Sequence, residues 1–282
     1  IKLFRQGPKD IRLNDTKISQ KELIGTLNTV IFCPEDLQLI KGTPSGRRRF
    51  LDMEISQTSA TYYHQLMQYN RLLQQRNAIL KEYRGKQNIP LEEWDLQLAD
   101  MASFIVKKRL ESLKKINLLI DLMNRKLTGG LENLTIGYEQ PYMDNGSLEY
   151  TKEGFYERIK VALPQDRHRL TTSVGPHRDD LRFFSDAMDL KKFGSQGQQR
   201  TAVLSLKLSE LEFIKSEVGE YPVLLLDDVL SELDESRRAN LLQFIHKRIQ
   251  TFITTTDIHD FKDLKSVQFI SCEGGKVQYG QP

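Results

Sequence analysis

Val223-Leu224-Leu225-Leu226-Asp227-Asp228 is the stretch from which the rest of the chain can be read. Four apolar residues in a row, without polar alternation, predict a strand buried on both faces, as in a parallel sheet. Two carboxylates follow at once. In an open α/β sheet, ligands gather outside the carboxyl ends of the strands. Asp227 is therefore placed to hold Mg²⁺, directly or through water, and Asp228 to polarise a water for attack on a phosphate. An apolar strand ending in two acids is also an ordinary strand-to-turn exit, and these six residues alone leave both readings standing.

The flanking sequence carries three further elements in a fixed order. Upstream, Phe193-Gly194-Ser195-Gln196-Gly197-Gln198-Gln199-Arg200 opens a helix expected over about 198–216. Glycine lets backbone amides approach a ligand, a helix N-terminus favours an anion, and Ser195 adds a hydroxyl. The bland alternative is a plain N-cap. Downstream, Ser231-Glu232-Leu233-Asp234 follows the acidic pair, and a helix is expected over 235–249. Thr254-Thr255-Thr256-Asp257 then forms the polar end of a strand over 251–256, and one more strand is expected over 267–272. Strand–helix–strand alternation predicts an α/β fold with a parallel sheet and flanking helices.

Before this region the texture differs. Leu27–Phe32 reads as a buried strand ended by Pro34. Over 58–84, Tyr62, Leu66, Tyr69, Leu73, Leu80 and Tyr83 keep helical spacing, with Arg76 filling the vacant position. Gly85 ends that helix, and a second runs over about 91–127 until Thr128-Gly129-Gly130. Two long helices joined by a short turn make a helical hairpin, either a projecting arm or a bundle wall. Short strands are expected over 134–138 and 148–150 around an Asp144-Asn145-Gly146 turn, with a helix over 151–163 and a loop over 171–182. The chain thus divides into 1–52, the helical hairpin 53–130, and 131–282.

Composition bounds the function. The 282 residues are 39% hydrophobic and 28% charged, an ordinary globular mix. No apolar run is long enough to span a membrane and no signal segment follows Ile1, so a cytoplasmic protein is expected. Cys33 and Cys272 sit in apolar runs and are expected to be buried thiols. They are too few for a disulfide framework or a four-cysteine metal site. Net charge is +4 over 1–52, +4 over 53–128 and −5 over 129–282. A basic front half suggests a polyanionic partner. Arg47-Arg48-Arg49 is a candidate phosphate clamp for DNA, or else an internal pair to Asp52 or Glu35. Lys107-Lys108-Arg109 and Lys114-Lys115 read as a solvated helix face. Gly175-Pro176-His177-Arg178-Asp179-Asp180 is a loop dense in functional groups whose role does not follow from the residues.

Taken together these segments resemble an ABC-type ATPase head. Ser195, Gly197 and Gln198 match the signature motif, with Arg200 beside it; Leu224–Asp228 matches Walker B, and Ser231–Asp234 the D-loop. Thr255 and Asp257 lie where such heads carry a switch histidine, and no histidine stands there. FCPEDLQLIKGTPSGRRRFLD (32–52) and TSVGPHRDDL (172–181), with GSQGQQR and LLLDDVLSELD, are similar to the bacterial RecF family over nearly the whole chain. The resemblance implies an ABC-type head with an inserted helical arm, with ATP and Mg²⁺ as cofactors. It also implies a homodimer formed on ATP, with Asp227 on the metal, Asp228 as the catalytic residue, and Ser195, Gly197 and Gln198 contacting nucleotide in trans. It further implies binding of double-stranded and gapped DNA, recombinase loading in recombinational repair, replication and the SOS response, and RecR and RecO as partners. The alternative is an SMC-like head serving as a structural DNA-binding module without significant hydrolysis. No Gly-x₄-Gly-Lys-Ser/Thr loop occurs in the chain. The resemblance implies one near the N-terminus, so a preceding segment is expected and the chain alone is expected to be inactive.

Overall fold

The computed structural model describes residues 1–282 except 6, 8, 87, 131, 143–149, 257–260, 262–266 and 280–282, and except the side chains of 20, 21 and 232. After a short exposed hairpin of Arg12–Leu13 and Thr16–Lys17, strand β1 is Thr29–Phe32. A helix not foreseen from sequence, α1, then covers Pro44–Thr58. Pro44 starts it rather than breaking it: at the first helical position its missing N–H costs nothing, and Thr43 caps the turn by accepting from the Gly46 amide. Ser59 ends α1 and caps α2, Ala60–Glu82. The long helix α3 is Glu92–Thr128, with Gly129 in the left-handed conformation at its end, where the sequence placed the stop.

The stripe predicted for the hairpin is present. Tyr62, Tyr69, Arg76 and Leu80 are buried on α2, and Leu113, Ile116, Ile120 and Met123 on α3. Helix α3 packs on α2, on α4 (Lys152–Arg169) and on α5 (Gln196–Val218), and one continuous apolar core runs through all of them. Strand β2 (Leu134–Glu139) pairs antiparallel with β3 (Asp180–Ser185), and β3 with β4 (Met188–Asp189). The expected 148–150 strand and its turn lie largely outside the described residues.

The quoted stretch forms β5, Val223–Asp227, flanked in parallel by β1 and by β6, Thr251–Thr254. Its register aligns Ile31, Leu225 and Phe252 in one row. Val30, Phe32, Leu224 and Leu226 point into the core, whereas Ile31 and Phe252 are 51% and 53% exposed. The strand is therefore covered on one face among the described residues, not on both. Helix α6, Glu235–Ile245, stops short of residue 249 because Lys247 turns into the left-handed region. The last strands, β7 (Ile270–Glu273) and β8 (Lys276–Tyr279), form an exposed hairpin. Cys272 is consequently exposed and Cys33 only half-buried, against the expectation of two buried thiols.

A charged group sits on the buried face of α5. Lys207, 6% exposed, makes ion pairs of 3.3 Å with both Asp36 and Glu210 and lies 5.4 Å from the centre of the Phe50 ring. Buried Glu54 of α1 stands beside it, its carboxyl pushed up to about 7 by burial, against the pull of Lys207.

Candidate functional site

Strand β5 delivers its two carboxylates to solvent, as the sequence placed them. The Thr254 hydroxyl donates to Asp227 Oδ1 at 2.6 Å. The Thr254 hydroxyl oxygen in turn accepts from the Asp228 backbone N–H at 3.1 Å, and that amide also lies 3.3 Å from the Thr254 carbonyl. Asp228 has φ +49°, a conformation unusual for a residue with a side chain. Thr254 thus holds the bend that turns the two carboxylates outward. Asp227 Oδ2 and both Asp228 carboxylate oxygens accept no hydrogen bond among the described residues. Ser231 donates from its hydroxyl to the Asp228 carbonyl at 2.8 Å, closing the turn into α6. Asp234 caps α6 through the Arg237 amide at 2.9 Å, and that bond, first among its contacts, holds its carboxyl below the usual range. Thr255 is exposed at the strand end, and Asp257 lies outside the described residues.

Ser195 heads α5 with a reciprocal cap: its hydroxyl accepts from the Gln198 amide at 3.2 Å, and Gln198 Oε1 accepts from the Ser195 amide at 3.0 Å. Gln198 also donates to Glu132 at 3.0 Å, which ties the turn to β3, because Ser185 binds the other oxygen of the same carboxylate. Buried Gln199 donates to the Leu190 carbonyl at 2.7 Å. Ser195, Gly197 and Arg200 are exposed. A methyl group at Gly197 would meet only the Ser195 hydroxyl, at 4.0 Å, so packing within the chain does not require glycine there. Helix α5 rises roughly 34 Å from that turn and β5 runs back roughly 17 Å. Among the described residues no hydrogen bond or ion pair joins the signature turn to the acidic pair.

The Gly175–Asp180 loop is a clasp. Gly175 has φ +128°, and a Cβ there would lie 2.4 Å from the Tyr69 hydroxyl, so only glycine fits. His177 bonds Tyr69 through Nδ1 at 2.6 Å and the Thr172 carbonyl through Nε2 at 3.0 Å. Burial pushes this imidazole down to about 4. Arg178 donates to the Thr172 carbonyl at 2.6 Å. Asp179 is fully buried and accepts from Tyr138 and from Arg109. Burial raises its carboxyl, which these donors and Arg48 partly offset.

Arg109 is the centre of the clasp. It is 2% exposed and forks onto Asp52 with two bonds of 3.0 Å. It also donates to the Pro176 carbonyl at 2.7 Å. Burial alone would weaken its hold on the proton, but Asp52, Tyr138, Tyr62 and Asp179 together reverse this and raise it. The solvated-face reading of Lys107-Lys108-Arg109 therefore fails at Arg109. The signal was available, since position 109 continues the stripe through Ala102, Ile105, Leu113 and Ile116. A second buried guanidinium, Arg76, joins Asp95 at 2.6 Å and Asp166 at 2.7 Å, and Asp166 holds Ser173 at the loop's entry.

The arginine triple divides. Arg47 is buried and forks onto Asp180 with two bonds of 2.8 Å, so it does not face solvent. Its partner is neither Asp52 nor Glu35. Arg48 is half-buried and donates to the Asp179 carbonyl at 2.7 Å, and Arg49 is exposed. Sequence reasoning missed Glu132, and it named Thr254, Asp52 and Asp180 without the partners they take, which lie far away along the chain.

Comparison with known proteins follows the same outline. No protein-family model matches the chain. It is 48% identical over 268 residues to the DNA replication and repair protein RecF of Alkaliphilus oremlandii, covering 94% of this chain and 73% of that protein. A RecF protein of Clostridium botulinum is 46% identical, with 97% of this chain and 76% of the relative covered. Among solved structures, the recombination mediator protein RecF with ATP, from the RecFOR pathway, superimposes with a TM-score of 0.86 at 38% identity, over 97% of this chain and 74% of that one.

Proposed function

The chain belongs to the RecF family of DNA replication and repair proteins, and from this we propose that it supplies the signature and Walker B parts of an ATP-driven, DNA-binding dimer of recombinational repair. The observation that carries the reading is the spread of the two motifs within one chain. Ser195 and Gly197 are exposed at a helix N-terminus with room for an anion, Gln198 beside them is half-buried, and among the described residues no hydrogen bond or ion pair joins that turn to Asp227 and Asp228. Such a layout suits a nucleotide held between two subunits, each contributing one of the halves.

The acidic pair fits Mg²⁺: hard carboxylate oxygens at a strand end, accessible, with three of the four accepting no hydrogen bond among the described residues. Among the described residues no group of three or more ligating side chains surrounds them. That suits an ion which retains waters and takes phosphate oxygens as its remaining ligands. Asp227 would hold the metal, which would neutralise charge developing on the phosphates. Asp228, set outward by Thr254, would orient a water and accept its proton. Ser195 and the α5 amides would hold a phosphate of the nucleotide bound by the partner subunit. RecR, RecO and gapped duplex DNA are the partners proposed by kinship.

The test is ATP-dependent association measured by light scattering, mixing this chain with a RecF-family protein that carries a complete phosphate loop. Association with ATP is expected. Ser195→Arg should abolish it, and Asp228→Asn, which keeps the left-handed backbone, should prolong it. Association that ignores ATP would overturn the reading.

A further inference from the structure

Four charged side chains meet where α5 crosses α1 and the tight helical turn Pro34–Leu37. Lys207 and Glu210 come from α5, Glu54 from α1 and Asp36 from the turn. The other elements packed on α5 add no charge to the cluster. Strand β1 has no titratable residue, and the short helices Gln38–Lys41 and Leu190–Phe193 bring only exposed lysines. Among the described residues no charged side chain of α3 pairs with any of the four. Cys33 lies beside Asp36, at 3.7 Å, and Glu35 is exposed.

Three carboxyls thus surround one ammonium. With all of them ionised, three negative charges would face one positive in a space that water barely reaches, since Lys207, Glu54 and Glu210 are 6%, 5% and 2% exposed. Asp36 is provided for: it lies 3.3 Å from Lys207 Nζ, accepts from the Cys33 amide at 3.0 Å and keeps some contact with solvent. The two glutamates are not. Glu54 has no ion pair among the described residues, and its buried Oε2 accepts no hydrogen bond. Glu210 Oε1 lies 3.3 Å from Lys207 Nζ and is likewise buried without a hydrogen bond.

Buried acceptors without donors are rare in folded proteins, because each forfeits its hydration. Two of them on neighbouring carboxyls call for a proton. On either glutamate it removes a surplus charge and turns an acceptor into an O–H donor. Burial raises both carboxyls against the pull of Lys207, and the charge of Glu54 raises Glu210 further. We propose that Glu54 and Glu210 hold one proton between them at neutral pH, and that this proton latches α5 against α1. When pH rises the proton passes to water, and two buried carboxylates then repel each other across the contact between the helices. Ser195 stands at the head of α5, so the latch governs how firmly the signature helix is seated. The inference is independent of the nucleotide reading above.

The test is urea unfolding of this chain and of Glu54→Gln, Glu210→Gln and the double variant between pH 5 and 8. A pair whose folded-state pKa lies above the unfolded value near 4.3 stabilises fully below that value and loses its contribution as pH rises through the folded-state pKa. Holding one proton more than the unfolded chain, the wild type should gain in unfolding constant by up to about tenfold per pH unit relative to the variants. Groups such as His177 and Asp179 titrate alike in all four proteins and drop out of that ratio. Either single substitution should remove this slope, because the remaining glutamate is left alone with Lys207 and ionises in the ordinary range. The double variant should remove no more than a single one. Unchanged slopes in both single variants would overturn the proposal. So would a slope lost in only one of them, which assigns the proton to one side chain, or losses that add in the double variant, which makes two independent protons. Carbon-13 carboxyl spectra of glutamate-labelled wild type need no variant to fold. Two glutamate signals should titrate together above the rest, and a spectrum in which every glutamate is ionised by about pH 6 would also overturn the latch.

Discussion

Replacing Arg109 with methionine should be among the most damaging single changes in the chain. The substitution keeps an unbranched side chain of similar reach, so the loss is electrostatic more than steric. It strands Asp52, which loses two 3.0 Å bonds, and Asp179, which is fully buried, and it frees the Pro176 carbonyl. Removing one partner of a buried ion pair costs about 3–5 kcal/mol, because the remaining charge has neither water nor counter-ion. At about 2–3 °C per kcal/mol for a protein of this size, the melting temperature should fall by about 6–15 °C. The defect should also depend on pH. A carboxyl whose folded-state pKa is raised above its unfolded value near 4 binds a proton first in the folded state. It is therefore best tolerated below that value, and stability is lost as pH rises through the folded-state pKa. Burial already raises Asp179 in the presence of Arg109. The variant's deficit, read by urea denaturation, should be larger at pH 8 than at pH 5, and adding Asp52→Asn and Asp179→Asn should restore part of it. A loss below about 1 kcal/mol, or a deficit equal at the two pH values, would refute the assignment of Arg109 as the charge that closes the clasp.

Three further outcomes can be measured. Gly175→Ala should cost roughly 2–4 kcal/mol by thermal melt, since the new methyl collides with the Tyr69 hydroxyl on a backbone only glycine tolerates. Glu54→Gln should be stabilising at high pH. With its folded-state value near 7, above the unfolded value of about 4.3, the wild-type carboxyl loses stability as pH rises from about 4 through 7. The two proteins should therefore diverge by roughly 1–3 kcal/mol between pH 5 and 8, with the glutamine variant ahead at pH 8. Ser195→Ala should cost about 1 kcal/mol through the lost cap, visible as a melt lowered by about 2–3 °C.

Much of the fold was legible because it rests on local pattern. The apolar run into Asp227-Asp228, the heptad-like stripe of α2 with Arg76 in it, the Gly129 stop and the Ser195 cap all depend on neighbours within a few positions. What escaped depends on distant partners. The helix over 44–58 went unread, although a capping Thr43 followed by Pro44 marks a helix start. The Gly175–Asp180 loop could not be interpreted without Asp52, Tyr69, Arg109 and Tyr138, which approach it only after α1, α2, α3 and β2 have packed. Arg47 was indistinguishable from its neighbours until Asp180 was found 133 positions away. Thr254 reads as one threonine among three, and only the parallel register of β5 and β6 sets it beside Asp227.

The buried lysine of α5 makes that helix a keyed shaft. Rotating it by one residue, about 100°, would swing Lys207 away from Asp36 and leave Glu54 with no cation beside it. Sliding it by a turn, about 5.4 Å, would do the same. Neither screw motion has a neighbouring stable position, as a helix packed only by leucines would have. A displacement imposed at Ser195 must therefore pass along α5 as a whole-body shift, arriving at Gly219 and the root of β5 without being absorbed on the way. Compliance belongs instead to the short Thr254-supported bend at Asp228, where three hydrogen bonds rather than a buried charge hold the chain.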